Sequence, residues 1–244
     1  MLAYSSWERE YARRVLRSLG YAPLVFTNLD ELAEMGVGAT TLDMLYLGNM
    51  PVTDSKGREV LEGVRASIGP DVPVLHAGLH QDIRPKSRGV SASPPRSFSD
   101  YYRLILSFLN ACRFEGARPH LSWGSYAFDP LGRTVAFAGR TVRLEPAAFD
   151  VALEFFFYAG RTLTTKRLKQ VMHFEKAALR LKDDYLAGTI AVLTAELWLS
   201  GAHGWALETV ESVGYRLIRV DPASSTPATE ASSRPLAGAE LESQ

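Results

Sequence analysis

Leu42-Asp-Met-Leu-Tyr-Leu47-Gly-Asn-Met-Pro51 is an apolar run that ends abruptly in Asn-Met-Pro. Met44–Leu47 reads as a buried strand. Strand-like and helix-like pieces alternate on both sides of it. Leu2–Ser5 and Pro23–Phe26 read as strands before it, and Val72–Leu75 as a strand after it. Between the first two, Glu8–Leu19 sets Tyr11, Val15 and Leu19 at steps of four, one face of a helix that Gly20 ends. Asn28 or Asp30 can cap a short helix over Leu29, Leu32 and Met35. Lys56–Ile68 reads as a third helix. Short strands separated by helices predict a parallel sheet covered on both faces.

Further along, residues 78–97 are rich in Gly, Pro, Ser and Arg and read as loop. A helix is predicted over Ser99–Phe114, capped by Ser99-Asp100, with Tyr102, Ile105, Leu106 and Leu109 on one side. Gly116–Pro119 suits a linker. The pattern then changes. Ser125–Asp129, Val135–Ala138 and Thr141–Leu144 read as short antiparallel strands with turns at Pro130–Gly132 and Ala138–Arg140. Pro146–Tyr158 is a strongly apolar helix with proline near its first turn. Helices are also predicted over Thr164–Met172, capped by Thr164 or Thr165, and over Asp183–Ser200. Trp205–Val210 and Tyr215–Val220 suit a terminal hairpin. Asp221–Gln244 has no periodicity and reads as a disordered tail.

The 244 residues suffice for two domains, and 46% hydrophobic with 22% charged residues fits a globular chain. Lys+Arg and Asp+Glu are both 27, so net charge offers no general argument for nucleic acid or anionic membrane. Cys112 is the single cysteine, which points to a reducing compartment, and a place within a predicted helix suggests a buried, inert thiol. The N-terminus turns charged within ten residues, unlike a signal peptide, and no stretch suits a membrane span. A soluble, cytoplasmic protein is expected.

The order of elements resembles the OmpR/PhoB-type response regulators of two-component systems. Leu144-Glu-Pro-Ala-Ala-Phe149-Asp150 resembles the family's approach to its first effector helix. Ala159-Gly160-Arg-Thr-Leu-Thr164-Thr-Lys-Arg-Leu168 resembles the turn into the second. Glu208-Thr-Val-Glu211-Ser-Val-Gly-Tyr215-Arg216-Leu217 resembles its wing signature. The resemblance implies an α/β receiver-like N-terminal domain with a flavodoxin-like parallel sheet over 1–115, and a linker over 116–122. It implies an α+β winged helix-turn-helix domain over 123–220 and a tail over 221–244. Every chemical position of the receiver departs from the family. The phosphoacceptor position holds Leu47, which has no nucleophilic oxygen, and a slip of one residue gives the equally inert Gly48. The acids that hold Mg²⁺ are replaced by Ser5, Ser6 and Trp7. The hydroxyl after strand four becomes Ala77 or Gly78, and the late lysine becomes Ser93. Asp43 and Asp54 lie away from the pocket, in capping or turn roles.

In this family the third helix enters the major groove and the wing offers a cation to the minor groove. Here Glu196 and Trp198 stand where basic residues are usual, and Glu211 replaces the wing arginine. Basic residues gather upstream instead, at Lys166, Arg167, Lys169, Lys176, Arg180 and Lys182. Lys166, Lys169, His173, Lys176 and Arg180 are spaced to share a helix face. That stripe could track phosphates, form a solvated face, or meet RNA polymerase as the family's loop commonly does. Thr189 and Thr194, with Tyr185 or Trp198, are left to read bases, and Arg216 is the candidate wing cation. Trp198 fits packing or a partner contact.

Other chemistry is thin. His76, His80 and Asp82 only loosely suggest a metal site. No serine is linked to a histidine and an acid, so no enzyme and no cofactor is expected. Two functions follow. One is a phosphorylation-independent regulator that binds promoter DNA as a homodimer paired through Ser99–Phe114. The other is a protein-interaction adaptor that kept the winged fold and lost sequence-specific DNA binding.

Overall fold

The structure is a computed structural model that describes residues 1–77, 95–114, 121–172 and 183–221. Expectations for the loop after Ala77, most of the linker, Lys176, Arg180, Lys182 and the tail lie outside the described residues.

In the N-terminal lobe, β1 (Leu45–Leu47) pairs in parallel with β2 (Val74–His76). Leu2 makes single parallel bridges to Leu47 and to Phe26. The order across the layer is Phe26, Leu2, β1, β2. The predicted strands Leu2–Ser5 and Pro23–Phe26 are therefore reduced to bridges. The cause at the first is α1 (Ser6–Ser18), which starts before Glu8 and takes Ser5 as its N-cap, so the chain leaves the sheet early. At the second, Pro23 has no N–H to give, and Leu24 and Val25 face solvent at the edge. The parallel sheet is thus smaller than the resemblance implies.

Helices cover both faces of this layer. Leu45 and Leu47 pack with α2 (Leu29–Glu34), a 3₁₀ turn (Gly36–Thr41) and α3 (Val60–Ile68). Tyr46, pointing the other way, packs with α1 and α4 (Phe98–Ala111). Tyr11, Val15 and Leu19 are all buried, as their spacing requires. Asn28 caps α2 by accepting the Glu31 N–H, while Glu31 accepts the Thr27 N–H in return. α3 starts at Val60 rather than Lys56 because Asp54 accepts the N–H groups of Lys56 and Arg58 and folds that segment into a turn. Ser97 caps α4, not Ser99, which is buried inside the helix. Cys112 sits half-buried at the C-cap of α4 rather than in the core.

The C-terminal lobe opens with an antiparallel sheet in chain order: β3 (Ser122–Trp123), β4 (Tyr126–Asp129), β5 (Thr134–Phe137) and β6 (Arg140–Arg143). α5 (Pro146–Phe157) leads through β7 (Thr162–Thr164) into α6 (Thr165–Met172), whose first turn Thr164 caps by accepting the Arg167 N–H. α7 (Asp183–Glu196) and the hairpin β8 (Trp205–Val210) and β9 (Gly214–Arg219) complete the lobe. β9 lies between β7 and β8. A small sheet, three helices and a terminal hairpin are the parts of a winged helix. α7 stops before Ser200 because Trp198 takes a left-handed φ of 51° and Ser200 bridges to Ala206.

One core joins the lobes. Tyr11 and Ile105 of the first belong to the same packed cluster as Tyr126, Phe149 and Phe156 of the second. α5 is apolar around nearly its whole girth because α4, α6, α7 and β9 pack along it, with Arg14 of α1 reaching its polar exception Glu154.

β9 approaches β7 so closely at Gly214 that a Cβ there runs into the Leu163 carbonyl. Gly214→Ala is expected to lower stability in urea unfolding by roughly 1–3 kcal/mol through the forced strand shift. An unchanged midpoint would mean that β7 moves aside freely.

Candidate functional site

At the positions where the resemblance puts a phosphoryl group and its metal, the chain carries Leu47, Ser5 and Ser6. Leu47 is fully buried among α2 and α3 residues. Ser5 and Ser6 are exposed at the start of α1, and Trp7 turns toward the effector lobe. Glu8, two residues on, is only 4% exposed. Its carboxylate accepts the Asn49 N–H at 2.9 and 3.0 Å and the Tyr46 hydroxyl at 2.9 Å. It lies over Gly48, where an added Cβ would come within 2.5 Å of Glu8 Cδ. Burial raises the Glu8 pKa, and the Asn49 and Tyr46 hydrogen bonds oppose that rise. Tyr46 is also hydrogen-bonded to Tyr101 of α4. Asp43 is exposed ahead of β1, at the opposite end of the strand from Gly48.

The effector face is short of cations where a groove-reading helix needs them. α7 reads Asp-Asp-Tyr-Leu-Ala-Gly-Thr-Ile-Ala-Val-Leu-Thr-Ala-Glu and contains no lysine or arginine. Thr189 donates its hydroxyl to the Tyr185 carbonyl and Thr194 to the Ile190 carbonyl, so both bond within their own helix. Leu186, Ile190, Leu193 and Leu197 are buried as expected of core. Trp198 is 41% exposed, stacks on His203 and carries the Arg140 guanidinium 4.6 Å from its ring. Arg140 also lies 3.8 Å from Glu196. Arg216 is not at the wing tip. It sits across the hairpin from Glu208 and pairs with it at 2.8 Å. The exposed Glu211 occupies the tip. Lys166 is exposed on α6, and Lys169 is half-buried on the same helix.

Arg167 belongs elsewhere. It turns inward and meets Glu154 of α5 at 2.6 Å. Arg14 of α1 meets the other Glu154 oxygen at 2.6 Å. Both guanidiniums lie beside the Tyr158 ring, and Arg167 also covers Trp7. Glu10 and the Tyr158 hydroxyl complete the cluster around Arg14. The Arg14 pKa is raised: burial works against its charge, but the Glu154 carboxylate more than offsets it. One turn before Glu154, Asp150 is 4% exposed and accepts the Phe98 N–H at the start of α4. Its other oxygen has no partner among the described residues. Burial pushes the Asp150 carboxyl up to about 8. Sequence reasoning passed over Glu8, Arg14, Asp150 and Glu154. Two carboxylates four residues apart in an apolar helix were the available signal.

His76 ends β2, half-buried, with its pKa lowered by burial and by Arg65. His80 and Asp82 lie outside the described residues. No group of three metal-binding side chains and no helix long and apolar enough to cross a membrane occurs among the described residues.

No protein-family model and no curated protein matches the chain. Similar solved structures are OmpR/PhoB-type response regulators and their DNA-binding domains. The Klebsiella pneumoniae RstA DNA-binding domain, solved in complex with the RstA box, is 26% identical with a TM-score of 0.33, over 40% of this chain and 95% of that one. DrrB of Thermotoga maritima, an OmpR/PhoB homolog, is 16% identical with a TM-score of 0.35, over 89% and 97% of the two chains. A streptococcal redox sensor evolved from two-component response regulators is 15% identical with a TM-score of 0.36, over 88% and 97%.

Arg14→Ala leaves Glu154 with one arginine in a buried site and is expected to cost roughly 3–5 kcal/mol in chemical unfolding. A loss below about 1 kcal/mol would place the pair on the surface in energetic terms. Asp150 gives a pH dependence. Its native pKa of about 8 exceeds the ordinary 3.8, so the folded state holds a proton that the unfolded chain releases. Its contribution is complete below the lower value and is lost as pH rises toward the upper one. Asp150→Asn is expected to flatten this fall and to gain at least about 1 kcal/mol over wild type at alkaline pH. Parallel stability–pH curves for the two proteins would reject the assignment.

Proposed function

We propose that the chain is a DNA-binding transcription regulator of the OmpR/PhoB response-regulator type that works without phosphorylation. The observation that carries this reading is the filled pocket. Leu47 stands at the acceptor position, Ser5 and Ser6 replace the Mg²⁺-binding acids, and the Glu8 carboxylate sits over Gly48. A carboxylate held by the Asn49 N–H and the Tyr46 hydroxyl leaves no room for an incoming phosphoryl group. The order Phe26, Leu2, β1, β2 supports a receiver-like, flavodoxin-type origin for the lobe.

In this reading Lys166 and Lys169, with Lys176, Arg180 and Lys182 after them, contact DNA phosphates. Arg167 is tied to Glu154 and contributes to the lobe junction instead. Thr189 and Thr194 can contact base edges only after leaving their helix carbonyls. The working species is a cytoplasmic homodimer that pairs through the side of α4 carrying Arg103 and Ser107, since α1 and α5 cover its other side. In place of DNA, the segment between α6 and α7 offers the same charges to RNA polymerase. The chain performs no catalysis.

A second reading, a protein-interaction adaptor, is favoured by α7 itself. Its outer surface offers Tyr185, Val192 and Glu196 and no cation. Carboxylates repel phosphates and leave a surface better suited to protein.

Mobility shift with salt titration separates the two. The regulator reading expects duplex binding that weakens steeply with salt, and a loss of about tenfold for Lys166→Glu or Lys169→Glu. Absence of binding to promoter DNA at low salt selects the adaptor. Acetyl phosphate or beryllofluoride should leave affinity and oligomeric state unchanged, and a response to either would overturn the filled-pocket argument.

A further inference from the structure

A cleft of about 370 Å³ opens between α1 and the effector lobe. Arg13, Arg14 and Arg17 line it from α1, and Trp123, Phe157 and Tyr158 line it from β3 and the end of α5. Its size lies within the range of small-molecule sites. The charge is unbalanced. Glu10 also lines the cleft and pairs with Arg13 at 2.6 Å and with Arg14 at 2.9 Å. Arg14 has Glu154 as its second partner. Arg17 is exposed and has no ion-pair partner among the described residues.

The arrangement supplies two kinds of recognition side by side. Arg13 and Arg17 stand one helical turn apart, so their guanidinium forks can converge on one phosphate or carboxylate. Trp123 offers ring surface to a planar group, while Phe157 and Tyr158 already carry the Arg14 guanidinium at 4.9 and 4.8 Å and form the cleft wall. A ligand that satisfies both has an anion at one end and a flat ring at the other. We propose that this cleft binds a nucleoside monophosphate, with the phosphate on Arg13 and Arg17 and the base against Trp123. A molecule in that position touches both lobes and stabilises their present arrangement. Lys166, Lys169, α7 and the wing do not line the cleft, so the proposal stands whether or not the chain binds DNA.

Calorimetric titration of the full chain with AMP, GMP, CMP and UMP tests this, with adenosine, guanosine, cytidine, uridine and inorganic phosphate as the part-ligands. At least one nucleotide is expected to bind with Kd of about 10–100 µM and to raise Tm. Its nucleoside and phosphate alone should each bind about tenfold more weakly or worse, because each fills half the site. Arg17→Ala should weaken nucleotide binding about tenfold and leave the ligand-free Tm unchanged, since the Arg17 side chain has no ion-pair partner among the described residues. Lys166→Glu should leave nucleotide affinity unchanged, which separates the cleft from a DNA-contacting surface. The proposal is overturned if none of the four nucleotides binds by about 1 mM. It is equally overturned if phosphate alone matches the nucleotide, or if Arg17→Ala binds like wild type.

Discussion

A carboxylate at 1% exposure in an apolar helix is untenable without cations at contact distance, and Glu154 has two. Arg14 reaches it from α1 of the first lobe, and Arg167 reaches it from α6 of the second. Each guanidinium is shielded from water by an aromatic ring, which strengthens the attraction that repays burial. Arg14 reaches that carboxylate only with α1 lying against α5, while Arg167 holds the other oxygen from within the second lobe. The cluster therefore sets how the lobes sit, beyond what apolar contact specifies. Apolar surfaces slide at little cost, whereas a charged fork has one geometry.

That constraint reaches both ends of the molecule. Toward the sheet, Glu8, Tyr46 and Tyr101 form a hydrogen-bonded series from the strand ends to α4. α4 in turn starts at Phe98, whose N–H is held by Asp150 on α5. In the second lobe, the pair with Glu154 turns Arg167 partly inward, against Trp7 of the first lobe. That leaves the exposed Lys166 and the half-buried Lys169 as the other cations of α6.

Much of the fold was legible from periodicity. Tyr11, Val15 and Leu19 marked the buried side of α1, and Tyr102, Ile105 and Leu109 that of α4. The terminal hairpin appeared within a residue of its observed bounds. β3 and β7 escaped because strands of two and three residues carry no alternation to detect. Ser99 precedes an acid, as a cap often does, but Ser97 is the cap because its hydroxyl accepts the Asp100 N–H. The functional residues were harder to see. The uncharged side chains of Leu47, Ser5 and Ser6 could be read directly. The burial of Glu8 over Gly48 could not, since the partners Tyr46 and Asn49 lie some forty residues away. Charge runs misled most: Arg167 belonged by spacing to a basic stripe, and only the position of Glu154 shows that it faces inward.

The shared core has a bearing on how this protein can be handled in pieces. Phe149 and Phe156 of α5 lie in the same cluster as Tyr11 and Ile105 of the first lobe. Cutting the chain after Phe114 would leave the C-terminal fragment with a bare aromatic flank and an orphaned acid. The N-terminal fragment would carry the mating flank and an Arg14 that keeps Glu10 but loses Glu154. Each is a surface prone to self-association. With one core shared between the lobes, isolated halves are poor stand-ins for the whole.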